Sequence, residues 1–477
     1  MIPRKMKVIF IKLAEESILT GILGHPPVGT SSFPPLGLLY TAAILEQHNH
    51  SVKIIDGGQE VLTKESLTAA LASADVIGLS VYTNNYQHTA EFAAIIKNIK
   101  PDIPIIIGGP HCIFRKHLAL NDIPGADICV DAESETVIAD LVEALQGKKQ
   151  FADLPGVHYR QGTSVHSGRP SQVVKNLDVL PFPARHLIDH YDYGNLPFGT
   201  QYKKKFTSVI TSRGCAFRCR FCAKYGNCIP GFDFRQRSAE NVVKELHELK
   251  DHYRTISIVD DNFLADRKRS HKIFDMLLSS GTTLDMFIVG ARVDTAEQAL
   301  YEKMKKVGVK YISYGIESGN QDVLDYYHKN VTLKQIRKGV QLAQKMGFFV
   351  NSTFIFGAPI ETKEHLERTT KFLCSLPLDT VTIWPFSYDL GGELHTQAVR
   401  DGNISEDEWE VRADVNRQLG ILPIKEVDEA IQHAYRRFYF RPSYAFGQVY
   451  RALKQRDFAR LRDTFRVLIS SQMKNIL

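Results

Sequence analysis

Short apolar runs punctuate the chain at nearly regular intervals, and stretches of helical periodicity lie between them. In the first third the runs fall at 8–11, 52–55, 76–81, 103–107 and 128–130. Helical spacing marks 37–47, 64–73, 87–97 and 134–145. This alternation predicts a parallel sheet with helices on both faces. Ligands of such sheets sit beyond the carboxyl ends of the strands. The loops at 12–35, 82–86, 108–111 and 131–135 are therefore where binding residues are expected.

The pattern then breaks. Pro155, Pro170, Pro181, Pro183 and Pro197 interrupt residues 151–200, which read as a linker with a small hairpin of 157–159 and 173–174. Alternation resumes with strands at 206–210, 255–259, 286–289, 311–315, 350–356 and 380–386. Helices are expected at 239–252, 267–279, 296–307, 321–327, 333–346 and 363–374. Six β/α units in series predict an incomplete (β/α)6 barrel with its site at the carboxyl strand ends. After Pro385 the spacing is helical at 405–418, 424–438 and 443–472. The fold class is α/β. A Rossmann-like, flavodoxin-like domain spans 1–150, a linker 151–200, a partial barrel 201–395 and a small helical C-terminal domain 396–477.

Composition changes this picture little. The 477 residues are 44% hydrophobic and 23% charged, as in water-soluble globular proteins with ample core. No run of about 18 apolar residues predicts a membrane span. The N-terminus enters a strand without a signal-peptide pattern, so a cytoplasmic location is expected. The net charge of +6 is uneven. From Arg436 onward ten Lys and Arg face only Asp457 and Asp463, a basic end that suits either an anionic partner or a solvated helix face.

The cysteines change it most. Cys215, Cys219 and Cys222 form a C-x3-C-x2-C group just after the strand at 206–210. Three thiols in one loop can ligate one metal centre. Zinc, completed by Cys228 or a histidine, is one reading. A four-iron cluster with one iron open to another ligand is the other. Cys112, Cys129 and Cys374 sit in apolar surroundings and read as core.

The loops beside this group decide between the two. Cys215-x3-Cys219-x2-Cys222 after the first strand of a β/α barrel resembles the radical S-adenosylmethionine (SAM) superfamily. Phe221 matches the aromatic that flanks the SAM adenine in that family. Asp260, Asp261 and Asn262 end the second strand and Arg292 follows the third. Glu317 and Ser318 end the fourth, and Gly357 and Pro359 follow the fifth. The resemblance implies that these contact SAM and that the cysteines hold a 4Fe-4S cluster. Plainer alternatives stand beside it: Asp260 and Asp261 as loop caps, Glu317 as partner to a lysine.

The first domain has its own resemblance. Pro34-Pro35-Leu36-Gly37, then Ser80-Val81-Tyr82-Thr83-Asn84, then Gly108-Gly109-Pro110-His111 and Asp131-Ala132-Glu133 are similar to the cobalamin-binding domain of many radical SAM enzymes. The implied contacts are Pro35, Leu36, Gly37, Ser80, Tyr82, Thr83, Asn84, Gly108, Gly109, Pro110, His111 and Glu133. Two departures stand out. The last loop lacks the family's Gly-Glu-Gly-Glu, and no D-x-H-x-x-G supplies a histidine for cobalt. A residue of 82–86 would then lie beneath the metal.

Together the resemblances imply a cobalamin-dependent radical SAM C-methyltransferase using a 4Fe-4S cluster, SAM and cobalamin. One SAM would supply the methyl group and a second the radical that activates an inert carbon. The helical end and basic tail are compatible with a peptide or protein substrate, of which a glutamine of methyl-coenzyme M reductase is the family's example. An external electron donor of flavodoxin or ferredoxin type is implied; membrane and nucleic-acid partners are not. A cyclase acting on a small molecule, as in bacteriochlorophyll synthesis, and a tRNA-modifying enzyme are the alternatives.

Overall fold

The computed structural model describes residues 4–13, 33–194 and 205–455. The chain divides into two compact units, Met1–Tyr193 with Lys224–Arg235, and Gly194–Ala223 with Gln236–Leu477.

The first unit is built on a seven-stranded sheet. Its strands are β1 (Lys7–Lys12), β2 (Ser51–Asp56), β3 (Val76–Ser80), β4 (Ile105–Gly108), β5 (Ile128–Val130), β6 (Val157–Gln161) and β7 (Ser164–Ser167). They run in the order β2-β1-β3-β4-β5-β6-β7. The first five are parallel, joined by helical crossovers that cover most of their apolar side chains on both faces. The 2-1-3-4-5 order is that of flavodoxin, with its switch point between β1 and β3. Helices α1 (Leu36–Gln47), α2 (Lys64–Ser73), α3 (Tyr86–Ile99), α4 (Pro110–Arg115) and α5 (Ile138–Leu145) cover it.

One expectation is corrected here. The hairpin pairs β6 with 164–167, not with 173–174. Gly162, at φ 61°, lets two residues close the turn between Gln161 and Ser164. The hairpin then joins β5 antiparallel and extends the sheet. The linker end is held as well, where the Tyr193 hydroxyl donates to the buried Asp56 carboxylate at 3.0 Å.

The second unit carries six parallel strands in sequence order: β8 (Phe206–Val209), β9 (Thr255–Ile258), β10 (Asp285–Ala291), β11 (Val309–Glu317), β12 (Phe349–Phe356) and β13 (Thr380–Pro385). Alternate residues serve two faces. Ile256, Ile258, Met286, Ile288, Ile312, Val350, Val381 and Ile383 join the main core. It is shared with α6 (Ala239–Leu249), α7 (Arg267–Ser279), α8 (Gln298–Val307), α9 (Leu333–Lys345) and α10 (Lys363–Ser375). The opposite set is layered. Phe287, Tyr311 and Phe349 pack ring to ring at 5.6 and 5.8 Å. One step along the strands, Asn351 donates to Ser313 at 2.9 Å and accepts from Thr380 at 2.8 Å. Glu317 and Thr353 follow at the carboxyl end.

The outer edge of β13 is closed by side chains. Tyr435 and Tyr439, one turn apart on α11 (Ile424–Tyr439), accept from the backbone N–H of Ile383 at 2.8 Å and Val381 at 3.4 Å. The Tyr444 hydroxyl donates to the Asp379 carbonyl at 2.8 Å. An edge strand's spare groups are thereby satisfied without another strand. The last helix, α12 (Pro442–Gln455), covers part of the expected helix at 443–472; the rest lies outside the described residues.

The helix expected at 405–418 is corrected too. Val411–Arg412 pairs antiparallel with Ser387–Tyr388, and Glu410 and Gln418 take left-handed φ values of 55° and 59°. Tertiary pairing overrides the helical spacing there. A helix forms instead at Glu393–Arg400.

Candidate functional site

The root of the cysteine loop is fixed by buried charge. Asp260, just past β9, accepts from the Thr211 backbone at 2.6 Å, the Thr211 hydroxyl at 2.5 Å and the Ser212 hydroxyl at 2.6 Å. Burial pushes its carboxyl up, while these donors and Arg269 pull it back. Arg269 donates to the carbonyls of Thr211 at 2.8 Å and Arg237 at 2.7 Å. Arg237 donates to the Ile210 carbonyl at 3.0 Å and pairs with buried Glu245. Residues 210–212 are thus gripped by three buried side chains, through backbone atoms of Ile210 and Thr211 and the hydroxyls of Thr211 and Ser212. Asp260 is the loop cap of the plainer reading; its carboxylate is taken up by the turn that leads to Cys215.

The loop itself is gripped between its cysteines. The Phe217 ring lies under the Arg292 guanidinium at 3.8 Å. Arg220 donates its N–H to the Tyr327 carbonyl at 3.0 Å, and its carbonyl accepts from Leu394 at 3.1 Å. Its side chain reaches Glu393 at 2.7 Å and Gln397 at 2.8 Å. Phe221 meets Tyr327 edge to face at 4.8 Å. Cys219 is buried, Cys215 half-buried and Cys222 exposed, and no cysteine forms a disulfide. Burial pushes the Cys215 thiol up. A bound metal centre would hold that sulfur as thiolate.

The other strand-end residues divide. Asp261 is exposed. Asn262 is fully buried, and neither polar atom of its amide has a hydrogen-bond partner among the described residues. A buried amide left so is costly unless a further group meets it. Glu317, at φ 71°, pairs with Lys329 at 2.8 Å, both almost wholly buried. This is the lysine partnership set beside its functional reading. Ser318 is fully buried; its hydroxyl accepts from the Asn320 backbone at 3.2 Å and meets Thr369 at 3.3 Å, so it builds the turn. Gly357, at φ 85°, and Ala358 donate to one oxygen of Glu361 at 2.7 and 2.9 Å, beside half-buried Pro359. Burial pushes the Glu361 carboxyl up to about 7.

The sequence allows a lysine partner for Glu317 without placing it at Lys329, and puts Glu361 in the loop after the fifth strand without giving it a role. A single lysine after a short helix carries no sequence signal, and Glu361 is separated by the chain's own turn from the backbone it holds.

In the first unit the strand order puts the ends of β3, β4 and β5 side by side. Ser80 ends β3, and the Tyr82 N–H donates to Asn85 at 2.8 Å, fixing the turn that contains Thr83 and Asn84. Tyr82 is 49% exposed. Gly109, at φ 112°, is required by the protein itself, since a Cβ would lie 2.8 Å from the Val81 carbonyl. Gly37 and Gly108 are not: a Cβ at Gly37 meets nothing within 4 Å, and one at Gly108 comes no closer than 3.8 Å. Glycines without an internal need fit a surface kept clear for a bound group. Pro35, Leu36 and Gly37 lie at the start of α1, whose Thr41 meets Ser134 at 2.6 Å.

Two expected contacts turn elsewhere. His111 is fully buried, stacks on Tyr86 at 5.0 Å and meets Asp122 at 3.1 Å. It supports the Gly108-Gly109-Pro110 loop from within. Glu133 holds Arg235 at 2.8 and 2.9 Å and accepts from the Val174 backbone at 2.6 Å. Its carboxylate anchors the 224–235 segment to its own unit.

Comparison with known proteins agrees with this geometry. A model described as B12 binding domain matches residues 29–142, and one described as Radical SAM superfamily matches residues 209–373. An uncharacterized methyltransferase of Pyrococcus horikoshii is 28% identical, covering 93% of this chain and 95% of its own. The anaerobic magnesium-protoporphyrin IX monomethyl ester cyclase of Cereibacter sphaeroides is 24% identical, covering 86% of this chain and 68% of its own. Among solved structures, the cobalamin-dependent SAM radical enzyme OxsB with aqua-cobalamin and SAM bound superposes with a TM-score of 0.69 at 16% identity. That match covers 99% of this chain and 71% of the other. The fold and both sites define a radical SAM enzyme with a B12-binding domain. The chain is similar over nearly its whole length to a methyltransferase, and the two matched domains imply a 4Fe-4S cluster, SAM and cobalamin as its cofactors.

Proposed function

We propose that this protein transfers a methyl group from SAM, by way of cobalamin, to an unactivated carbon. The observation that carries the reading is the pairing of two sites in one chain: a C-x3-C-x2-C loop braced by Asp260, Arg237 and Arg269, and open space beside Gly37 at the start of α1 and Gly108 at the end of β4. When bound, the cluster with SAM supplies a carbon-centred oxidant, and cobalamin supplies a carrier for the methyl group. Cys215, Cys219 and Cys222 would hold the cluster. Asn262, with its unmet amide, and Glu317, at the end of β11, would orient SAM. The loops of 80–84 and 108–110 would lie along the cobalamin ring.

Support for the shape of the acceptor comes from the barrel's last strand. Thr380 and Thr382, on the layered face of β13, are 3% and 5% exposed, whereas Trp384 in the same alternation is 57% exposed. A large indole held open at a strand end offers a platform for a flat or apolar group. The expectation of a peptide or protein acceptor draws less support: residues 456–477 of the basic tail lie outside the described structure, and α11 is occupied in covering β13. Among the described residues no helix is long and apolar enough to cross a membrane.

The cyclase kinship and Trp384 together favour a second reading, ring closure on a flat small molecule. Product mass separates the two. Anaerobic turnover with reductant, SAM and cobalamin should give an acceptor heavier by one methyl group, with S-adenosylhomocysteine and 5′-deoxyadenosine both formed. An acceptor altered without added methyl would establish the cyclase reading. Metal analysis should return about four irons and one cobalt per chain; zinc in place of iron would overturn both.

A further inference from the structure

The family resemblance implies that Arg292, from its place after the third strand, meets SAM. Its surroundings point another way. It is 5% exposed, and the protein already engages most of its donors. Nε and one terminal nitrogen grip Asp294 at 3.0 and 3.1 Å. That same terminal nitrogen donates to the Lys329 carbonyl at 2.5 Å. The guanidinium plane rests on Phe217 at 3.8 Å. The remaining terminal nitrogen donates to the Cys219 sulfur at 3.9 Å. A guanidinium fixed on three sides has little freedom to swing toward a ligand, and its last nitrogen is already directed at sulfur.

We propose that Arg292 is a positioning residue that sets the reduction potential of the cluster through an N–H···S hydrogen bond to Cys219. This rests on the reading of the three thiols as cluster ligands. Reducing the cluster adds one electron from an external donor, and the added negative charge spreads onto its sulfurs. A donor at one of those sulfurs stabilises the reduced form and raises the potential, as hydrogen bonds to cluster sulfurs do in general. The bracing explains how the contact is kept. Asp294 and the Lys329 carbonyl fix the guanidinium plane, and Phe217 carries it on the cysteine loop itself, between the two thiols Cys215 and Cys219. Asp294 also balances the charge, so Arg292 acts as an oriented donor and less as a free cation.

The test uses the full chain, reconstituted anaerobically with iron and sulfide and without SAM. The spin signal of the reduced cluster is followed in a viologen-mediated titration with dithionite. Arg292→Gln should lower the reduced-to-oxidised ratio about tenfold at a fixed potential, a fall of about 59 mV for one electron. Arg292→Lys, which keeps charge but loses the planar fork, should fall between. SAM affinity, measured by equilibrium dialysis with the oxidised protein, should change little in both. An unchanged potential together with weakened SAM binding overturns the proposal and returns Arg292 to the SAM site. Loss of the cluster from both variants makes Arg292 a scaffold of the loop and likewise overturns it. Wild-type protein with no four-iron signal fails the underlying reading instead, which tells the two failures apart.

Discussion

The two units answer the same needs with different materials. Around its strand ends the first unit presents glycines, Gly37 at the start of α1 and Gly108 and Gly109 at the end of β4, with a turn fixed by Asn85, while its charged pairs such as Glu133–Arg235 hold segments in place. The second unit uses side chains, with Asp260, Arg237, Arg269, Glu317, Lys329 and Glu361 all buried. The contrast repeats at the sheet edges. The first sheet is prolonged past β5 by the β6–β7 hairpin, strand on strand. The second is finished at β13 by the hydroxyls of Tyr435 and Tyr439. A broad cofactor that lies on a surface needs clearance, and glycine backbone gives it. A cluster and a cleavable sulfonium need fixed points, and buried paired charges give those.

The largest break in this comparison should come at Asp260. Asp260→Ala removes the acceptor for three donors and leaves Arg269 buried beside the gap. Removing one partner of such a buried set costs about 3–5 kcal/mol. We expect a lower urea midpoint and iron content well below wild type after reconstitution, while cobalamin binding by the first unit is kept. Equal losses in both would show that the two sites are not independently built. Asp260→Asn should retain part of the iron, since its carbonyl still accepts.

Glu361 gives the next effect, and its sign follows from its environment. Its carboxyl sits at about 7 in the folded chain against an ordinary 4.5. Between those values the folded state keeps a proton that the unfolded state releases. Stability is therefore fullest below the lower value and falls as pH rises through the higher one, by about 3 kcal/mol. Glu361→Gln keeps an oxygen for the N–H groups of Gly357 and Ala358 but cannot titrate. Urea midpoints at pH 5 and pH 8 should converge in that variant. A gap as wide as in wild type would place the titrating group elsewhere.

How much of this could be read in the sequence depended on range. Strands and helices followed from local runs: Lys64–Ser73 and Ile128–Val130 fall where the spacing puts them. The cysteine loop was legible because its three thiols lie within eight residues of one another. What failed was whatever depended on a distant partner. The span 405–418 has helical spacing, but Val411 is claimed by Tyr388, far back in the chain. Glu133 stands in a loop where a ligand is expected, yet its partner Arg235 lies about a hundred residues on. His111 follows a glycine pair expected to approach a ligand, but Tyr86 and Asp122 draw it into the core. The Gly162 turn was missed for a different reason. Its hairpin strands are short and polar, with no apolar run to mark the second one.

The edge of β13 offers a smaller test. Tyr439→Phe keeps the ring packed against Phe438 and Tyr444 but withdraws the hydroxyl from the Val381 N–H. Each lost hydrogen bond should cost about 1 kcal/mol. Tyr435→Phe should cost the same at Ile383, and the pair together about twice that, unless water reaches the edge. Hydrogen exchange at the two amides reports the change directly. Exchange as slow as in wild type in both variants would mean that α11 shields the edge by packing alone.

Gly37 makes the finest cut, because the comparison predicts effects of opposite sign at one position. Gly37 lies in the first turn of α1, where a Cβ would meet nothing within 4 Å. Alanine in a helix is more favourable than glycine by about 0.5–1 kcal/mol. Gly37→Ala should therefore raise the melting temperature of the protein freed of cobalamin. If the clearance is kept for the cofactor, the same methyl group should weaken cobalamin binding, read as cobalt retained after gel filtration. A gain in stability with no loss of cobalt would mean that the open space at α1 serves no ligand. The backbone-built site would then lie only along β3, β4 and β5. A loss of cobalt without any gain in stability would mean instead that the helix start is already strained by its neighbours. Only the crossed result, a firmer apoprotein that holds its cofactor less well, identifies glycine here as a residue chosen against the fold and for the ligand.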